Sequence, residues 1–162
     1  MHNAAQGIIA QLGLQPLSGE GGFFRQTWLS SETGPDGRPL GSAIQYLITP
    51  EGFSALHRLH TDEVWHFYAG DPVEHVQLDP LTGTAQTTRL GAAITAGEHV
   101  QLVVARNVWQ GARLAEGGRH GWALLGCTLA PAWDEREWES GKREDLLASY
   151  PAVASLIRAL TR

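Results

Sequence analysis

A chain of 162 residues, 43% of them hydrophobic, can bury a sizeable core without staples, and its single cysteine, Cys127, excludes an intrachain disulfide and points to a reducing, cytoplasmic compartment. A formal charge of −5, from 12 Lys and Arg against 17 Asp and Glu, offers no basic stripe for a phosphate backbone and argues against a nucleic-acid partner. No basic-then-apolar leader is present and no apolar run approaches the ~18 residues a bilayer span needs, so a soluble protein with no membrane association is expected.

The first predicted element is a short helix over residues 3–12. Asn3 is a candidate cap, Ile8, Ile9 and Leu12 share a face, and Gly13 suits the left-handed residue that closes a helix. From Gly22 to Ala130 the punctuation changes. GPDG, TPEG, GDP, DPLTG, AGE and AEGG separate short segments rich in Ile, Val, Leu, Thr and aromatics, the cadence of a β-barrel or jelly roll. An all-β fold follows, with a β core over about residues 22–130, helices only near the two ends, and one domain spanning 1–162.

Within EGGFFRQTW, the pair Gly21–Gly22 reads as a close backbone approach or a positive φ. It is not a phosphate loop, because no Lys-Ser/Thr follows. Alternation places Arg25 with Phe23 and Thr27 on one strand face, where it either meets a ligand or pairs with Glu20 or Glu32 on the surface. Sheet edges and aromatics such as Phe24 and Trp28 are expected to be covered by a second copy of the chain, giving a homodimer.

The stretch Gly52–Gly70, GFSALHRLHTDEVWHFYAG, concentrates three histidines (His57, His60, His66), two carboxylates (Asp62, Glu63) and four aromatics between glycines. It reads as two strands joined by a polar turn at His60–Asp62. In the second strand Glu63, Trp65 and Phe67 share one face, and Val64, His66 and Tyr68 the other. A carboxylate among large aromatics needs a partner, and His57 is the first candidate.

This segment resembles the first motif of the cupins, in which a glycine precedes a His-x-His pair, a glutamate follows, and a glycine closes seven residues beyond. His57, Glu63 and Gly70 fit, whereas the second histidine position falls on Leu59 and His60 is one residue out of register. The chain is similar to a subgroup of small, largely uncharacterised cupin-like proteins through EGGFFRQTW, HRLHTDEVWHFYAGDP, VARNVWQGARL and GCTLAPAWD. The resemblance implies a jelly-roll barrel and, again, a homodimer. It also implies a second motif in VARNVWQGA, where Ala105 and Asn107 take the places of a proline and glycine and Gln110 that of a ligating histidine. With Leu59 and Gln110 in ligand positions, only His57, Glu63 and Gln110 remain as metal donors, a thin set, and no resident metal cofactor is expected. In the sugar-nucleotide epimerases that the barrel resembles, an early arginine holds the diphosphate, which is the ligand role open to Arg25.

Tyr46, Trp65 and Trp109 are candidate pocket walls with Gln110, since aromatic faces pack on sugars or planar rings. Cys127, on one face with Leu125 and Leu129, reads as a core residue. DEREWE reads as a solvated acidic face beyond the end of the β region, and a closing helix is expected over Pro151–Leu160 with its proline at the first helical position. His2, His75, His99 and His120 lie outside the motifs and are expected at the surface. The expected function is a small-molecule pocket protein. Three forms remain open: a metal-independent isomerase or epimerase on a sugar-like or keto substrate with His57 and Glu63 as acid–base groups, a metal-dependent cupin enzyme, and a non-enzymatic, carbohydrate-like ligand binder.

Overall fold

A computed structural model describes residues 3–162; His2 and the side chain of Asn3 lie outside the described residues. The chain begins with α1 (Asn3–Leu12), ended by Gly13 at φ +64°, as its spacing predicts. Eleven strands follow: β1 (Gln15–Pro16), β2 (Phe23–Leu29), β3 (Ser42–Ile48), β4 (Ser54–Leu59), β5 (Glu63–Gly70), β6 (Val73–Leu78), β7 (Ala85–Leu90), β8 (Gln101–Val104), β9 (Trp109–Leu114), β10 (Ala123–Leu129) and β11 (Trp138–Ser140). They form two antiparallel sheets, ordered β1-β2-β3-β10-β5-β8 and β11-β4-β9-β6-β7. The fold is therefore all-β with short helices near the ends, although the sheets do not close into a continuous barrel. No described helix is long and apolar enough to cross a membrane.

Two cores result. Between the sheets lie Tyr46, Ile48, Trp65, Val73, Leu90, Leu125 and Cys127, with Phe24 packed against them. Phe24 is thus not an exposed edge aromatic, whereas Trp28 is half exposed. The outer face of the five-stranded sheet carries the second core, where Leu56, Val76 and Leu78 meet Leu146, Tyr150, Ile157 and Leu160 from the C-terminal helices. Those helices are α2 (Arg143–Ser149) and α3 (Ala154–Ala159), separated by a 3₁₀ turn at Pro151–Val153. The closing helix is where the sequence places it; α2 was not anticipated, because KREDLLAS follows a glycine and lacks a side-chain cap.

The acidic stretch departs from expectation. It does not trail from the β region as a solvated face: Trp138–Ser140 adds an edge strand to β4, pairing Ser140 with His57. Its charges are engaged, Glu139 with Arg58 (2.7 Å) and Glu137 with Arg38 and Thr61. The Arg38 side chain is 8% exposed and donates to Ala132 O (2.5 Å), Glu137 Oε1 (2.5 Å) and Thr61 Oγ1 (3.2 Å). It therefore staples the segment before β11 to the β4–β5 turn. Replacing Arg38 with Ala strips donors from a carbonyl and a carboxylate at once, and should lower stability in urea unfolding by about 2–4 kcal/mol, whereas Thr61→Val, which removes one neutral hydroxyl, should cost only about 1 kcal/mol.

Candidate functional site

The two strands of the Gly52–Gly70 stretch belong to opposite sheets, so the His60–Asp62 turn is the crossing point and both strands aim side chains into the same interior. His57 on β4 sits directly opposite Gln110 on β9, which puts the two side chains on one face. Glu63 and Trp65 enter from β5. All four are buried, Glu63 the least so at 6% exposure. His60, one residue out of register, turns outward and meets Asn107 Oδ1 at 2.5 Å. Asn107 adopts φ +65°, the left-handed conformation expected where the family motif has glycine, and its N–H donates to Leu59 O at 2.7 Å. The two motif turns are thereby tied together.

Glu63 is satisfied by neutral donors. Its Oε2 accepts from Gln110 Nε2 (2.7 Å) and Trp65 Nε1 (3.0 Å), while Gln110 Oε1 accepts from Trp65 Nε1 (2.9 Å) and His75 Nε2 (3.1 Å). His57 does not fill the partner role expected of it. Its Nδ1–H donates to Ala55 O at 2.8 Å, leaving Nε2 facing Glu20 Oε2 at 3.8 Å, beyond hydrogen-bond length. Glu20 is further held by Ser54 Oγ at 2.7 Å. Ser54 and His57 lie three residues apart, a spacing that regular alternation would send to opposite faces; the bulge between them lets both reach Glu20. Beside them the Tyr46 hydroxyl donates to Gly21 O at 2.8 Å. Gly21 and Gly22 take φ +106° and +71°, and a Cβ on Gly22 would stand 2.8 Å from the Tyr46 ring, so the double glycine is the close approach the sequence suggests.

Burial dominates the electrostatics. It raises the Glu63 carboxyl above its ordinary value; the His57 charge opposes this, the Glu20 charge adds to it, and the Gln110 and Trp65 donors partly offset it. Burial and the Glu20 charge likewise push the Tyr46 hydroxyl well up. The Cys127 thiol is held up by burial, by the charges of Glu63 and Glu20, and by its hydrogen bond with Glu63. Burial lowers His75 to about 3, which keeps its imidazole neutral.

Of the other predicted site residues, Tyr46 and Trp65 face this interior, their rings edge to face at 5.9 Å. Trp109 does not: it packs in the outer core under the Arg58 guanidinium, 4.6 Å from its ring centre, because it neighbours the inward Gln110 on a regular strand. Arg25 lies outside, exposed and donating to Gln45 Oε1 at 3.1 Å. His75, expected at the surface, is fully buried. The signal for it was present in VEHVQL, where alternation pairs it with Val73 on the inward face. Glu20 was legible only as a charge beside glycines.

The donor set does not suit a transition metal. Gln110 Oε1 already accepts two hydrogen bonds, Leu59 offers no donor, and among the described residues no three His, Cys, Asp or Glu side chains are placed to hold an ion. A surface hollow of about 340 Å³ is lined by Leu17, Gly21, Gly22, Phe23, Thr49 and Arg162 among others, and a second of about 460 Å³ lies near Phe53, Asp71 and Arg113. Neither is walled by His57, Glu63 or Gln110, all of which are buried.

Two outcomes follow. Cys127 should resist a thiol-specific disulfide reagent in the folded protein and react once unfolded; rapid native labelling would contradict its burial. The folded state retains the Glu63 proton to higher pH than the unfolded chain. Its contribution to stability is therefore full below the unfolded value of 4.5 and is lost as pH rises through the raised folded value. Urea unfolding of wild type and Glu63→Gln should show the wild type losing ground with rising pH across that window; parallel profiles would contradict the shift.

A family model described as Cupin_5, Cupin superfamily (DUF985), matches residues 6–140. Among solved structures, a protein from Shewanella oneidensis is 32% identical, with a TM-score of 0.90 over 100% of this chain and 99% of that one. A hypothetical protein from Leishmania major is 29% identical, with a TM-score of 0.87 over 97% and 98%. Oxalate decarboxylase from Bacillus subtilis is 14% identical, with a TM-score of 0.56 over 91% of this chain and 37% of that one, a likeness of fold alone. No protein of curated function matches the chain.

Proposed function

The chain belongs to the cupin superfamily, in the family Cupin_5 (DUF985), as a cupin-type small-molecule pocket protein, and we propose that its interior is a metal-independent acid–base site for isomerising or epimerising a sugar-like or keto substrate. The observation that carries this reading is the convergence of Glu20, His57 and Glu63 from a loop and two sheets on one buried space. His57 Nε2, with Nδ1 held by Ala55 O and the Glu20 charge nearby, is the base that takes a proton from the carbon beside a carbonyl. Glu63, whose carboxyl burial shifts toward the protonated form, donates to the carbonyl oxygen. Protonated His57 then delivers its proton to the neighbouring carbon of the enediol, or to the opposite face of the same carbon once the intermediate has turned over. An enediol hydroxyl passes its proton back to Glu63 as the carbonyl re-forms, so both groups recover their starting states. Tyr46 and Trp65 supply aromatic walls. An uncharged substrate is favoured, because Arg25, Arg38 and Arg58 commit their guanidiniums to partners outside this space.

The test is deuterium incorporation from solvent into a panel of neutral keto sugars, with nucleotide sugars as the charged comparison, using protein treated with a chelator. Exchange should persist without metal and fall about 100-fold or more in Glu63→Gln, with the fold retained by circular dichroism. Exchange that depends on added metal would favour a metal-dependent cupin, and binding without exchange a carrier.

We also propose a homodimer. Trp28, Tyr68 and Val103, on three strands of the six-stranded sheet, are each at least half exposed, and a second copy would cover them. Sedimentation at micromolar concentration should give twice the chain mass, and Tyr68→Glu should restore a monomer; a monomeric wild type would contradict the pairing.

A further inference from the structure

We infer that His75 is a positioning residue for Glu63, acting through Gln110, an inference that rests on the reading of Glu63 as the proton donor. The indole N–H of Trp65 can only donate. The Gln110 atom it meets at 2.9 Å is therefore the carbonyl oxygen, and the amide nitrogen is turned to Glu63 Oε2 at 2.7 Å. That oxygen also lies 3.1 Å from His75 Nε2, which must then carry the hydrogen. A neutral imidazole holds one proton, so Nδ1 is bare, and among the described residues Nδ1 has no partner. The ring is held edge-on to Trp65, its centre 4.8 Å from the indole.

The consequence reaches Glu63 because the Trp65 N–H is shared between Gln110 Oε1 and Glu63 Oε2, at 2.9 and 3.0 Å. With His75 donating to the amide, the carbonyl oxygen is supplied and the indole can serve the carboxylate. Without that donation the amide draws on the indole alone, and Glu63 loses support for its charged form. The charged and titratable groups facing Glu63 from other elements are His57 on β4, Glu20 in the loop before β2, and Cys127 on β10. Changing His75 alters none of them chemically.

The experiment compares His75→Phe, which keeps a ring and removes the donor, with His75→Gln, whose amide nitrogen reaches near the Nε2 position. Carbon-detected NMR titration of the Glu63 carboxyl should show its midpoint raised by about half a unit or more in the Phe variant and restored in the Gln variant. No shift with Phe, or equal shifts with both, would overturn the inference, since a packing role does not distinguish a donor from an isostere. Should the Phe variant not fold, nitrogen-15 shifts of wild-type His75 at neutral pH decide: hydrogen on Nε2 supports the assignment and hydrogen on Nδ1 overturns it. Failure of the functional reading would appear instead as solvent exchange unaffected by Glu63→Gln, with these titrations unchanged.

Discussion

A carboxylate placed between two apolar sheets is the constraint on which the rest of this interior depends. Glu63 is 6% exposed, and an isolated charge there would cost several kcal/mol. The structure meets that cost in part with hydrogen-bond donors, and burial still shifts the carboxyl toward its neutral form. Gln110 and Trp65 donate directly, His75 supplies the amide behind them, and each comes from a different strand. The seam between the sheets is thereby registered by polar contacts as well as by packing, since shifting β9 by one residue would turn Gln110 outward and leave Glu63 unsupported.

Two carboxylates sit near one imidazole, and they are held differently. Glu63 is surrounded by donors deep in the seam. Glu20 lies on a glycine-flanked loop nearer the surface, held by Ser54 and facing His57 Nε2. Only Glu63 is shut in by burial, which raises its carboxyl above the ordinary value. The same arrangement explains the misfit with a metal: the oxygen that a ligating glutamine would offer is already doubly occupied.

Much of this was legible in the sequence because strand alternation is a strict rule. It placed Glu63 and Trp65 together and turned His60 away, while the motif resemblance put Asn107 at a glycine position that proves left-handed. Where it failed, the cause was longer-range geometry. Strand pairing alone could not tell that β4 and β5 would join opposite sheets, so His57 was matched to Glu63 when its nearer carboxylate is Glu20. Ser54 faces inward only because of a bulge that no local pattern signals. Trp109 was drawn to the pocket by adjacency to Gln110, although adjacent strand residues face opposite ways. The acidic stretch that runs into β11 looked solvated because its partners, Arg38 and Arg58, are some eighty or more residues away.

The central proposal is that this interior moves protons without a metal. Manganese(II) broadens the NMR signals of nuclei near its binding site, so titrating it into chelator-treated protein while watching the Trp65 indole N–H and the His57 ring tests that proposal directly. The account predicts that both signals persist at equimolar manganese with no loss beyond that of surface residues. Selective disappearance of the Trp65 and His57 signals would contradict it and place a metal beside Glu63.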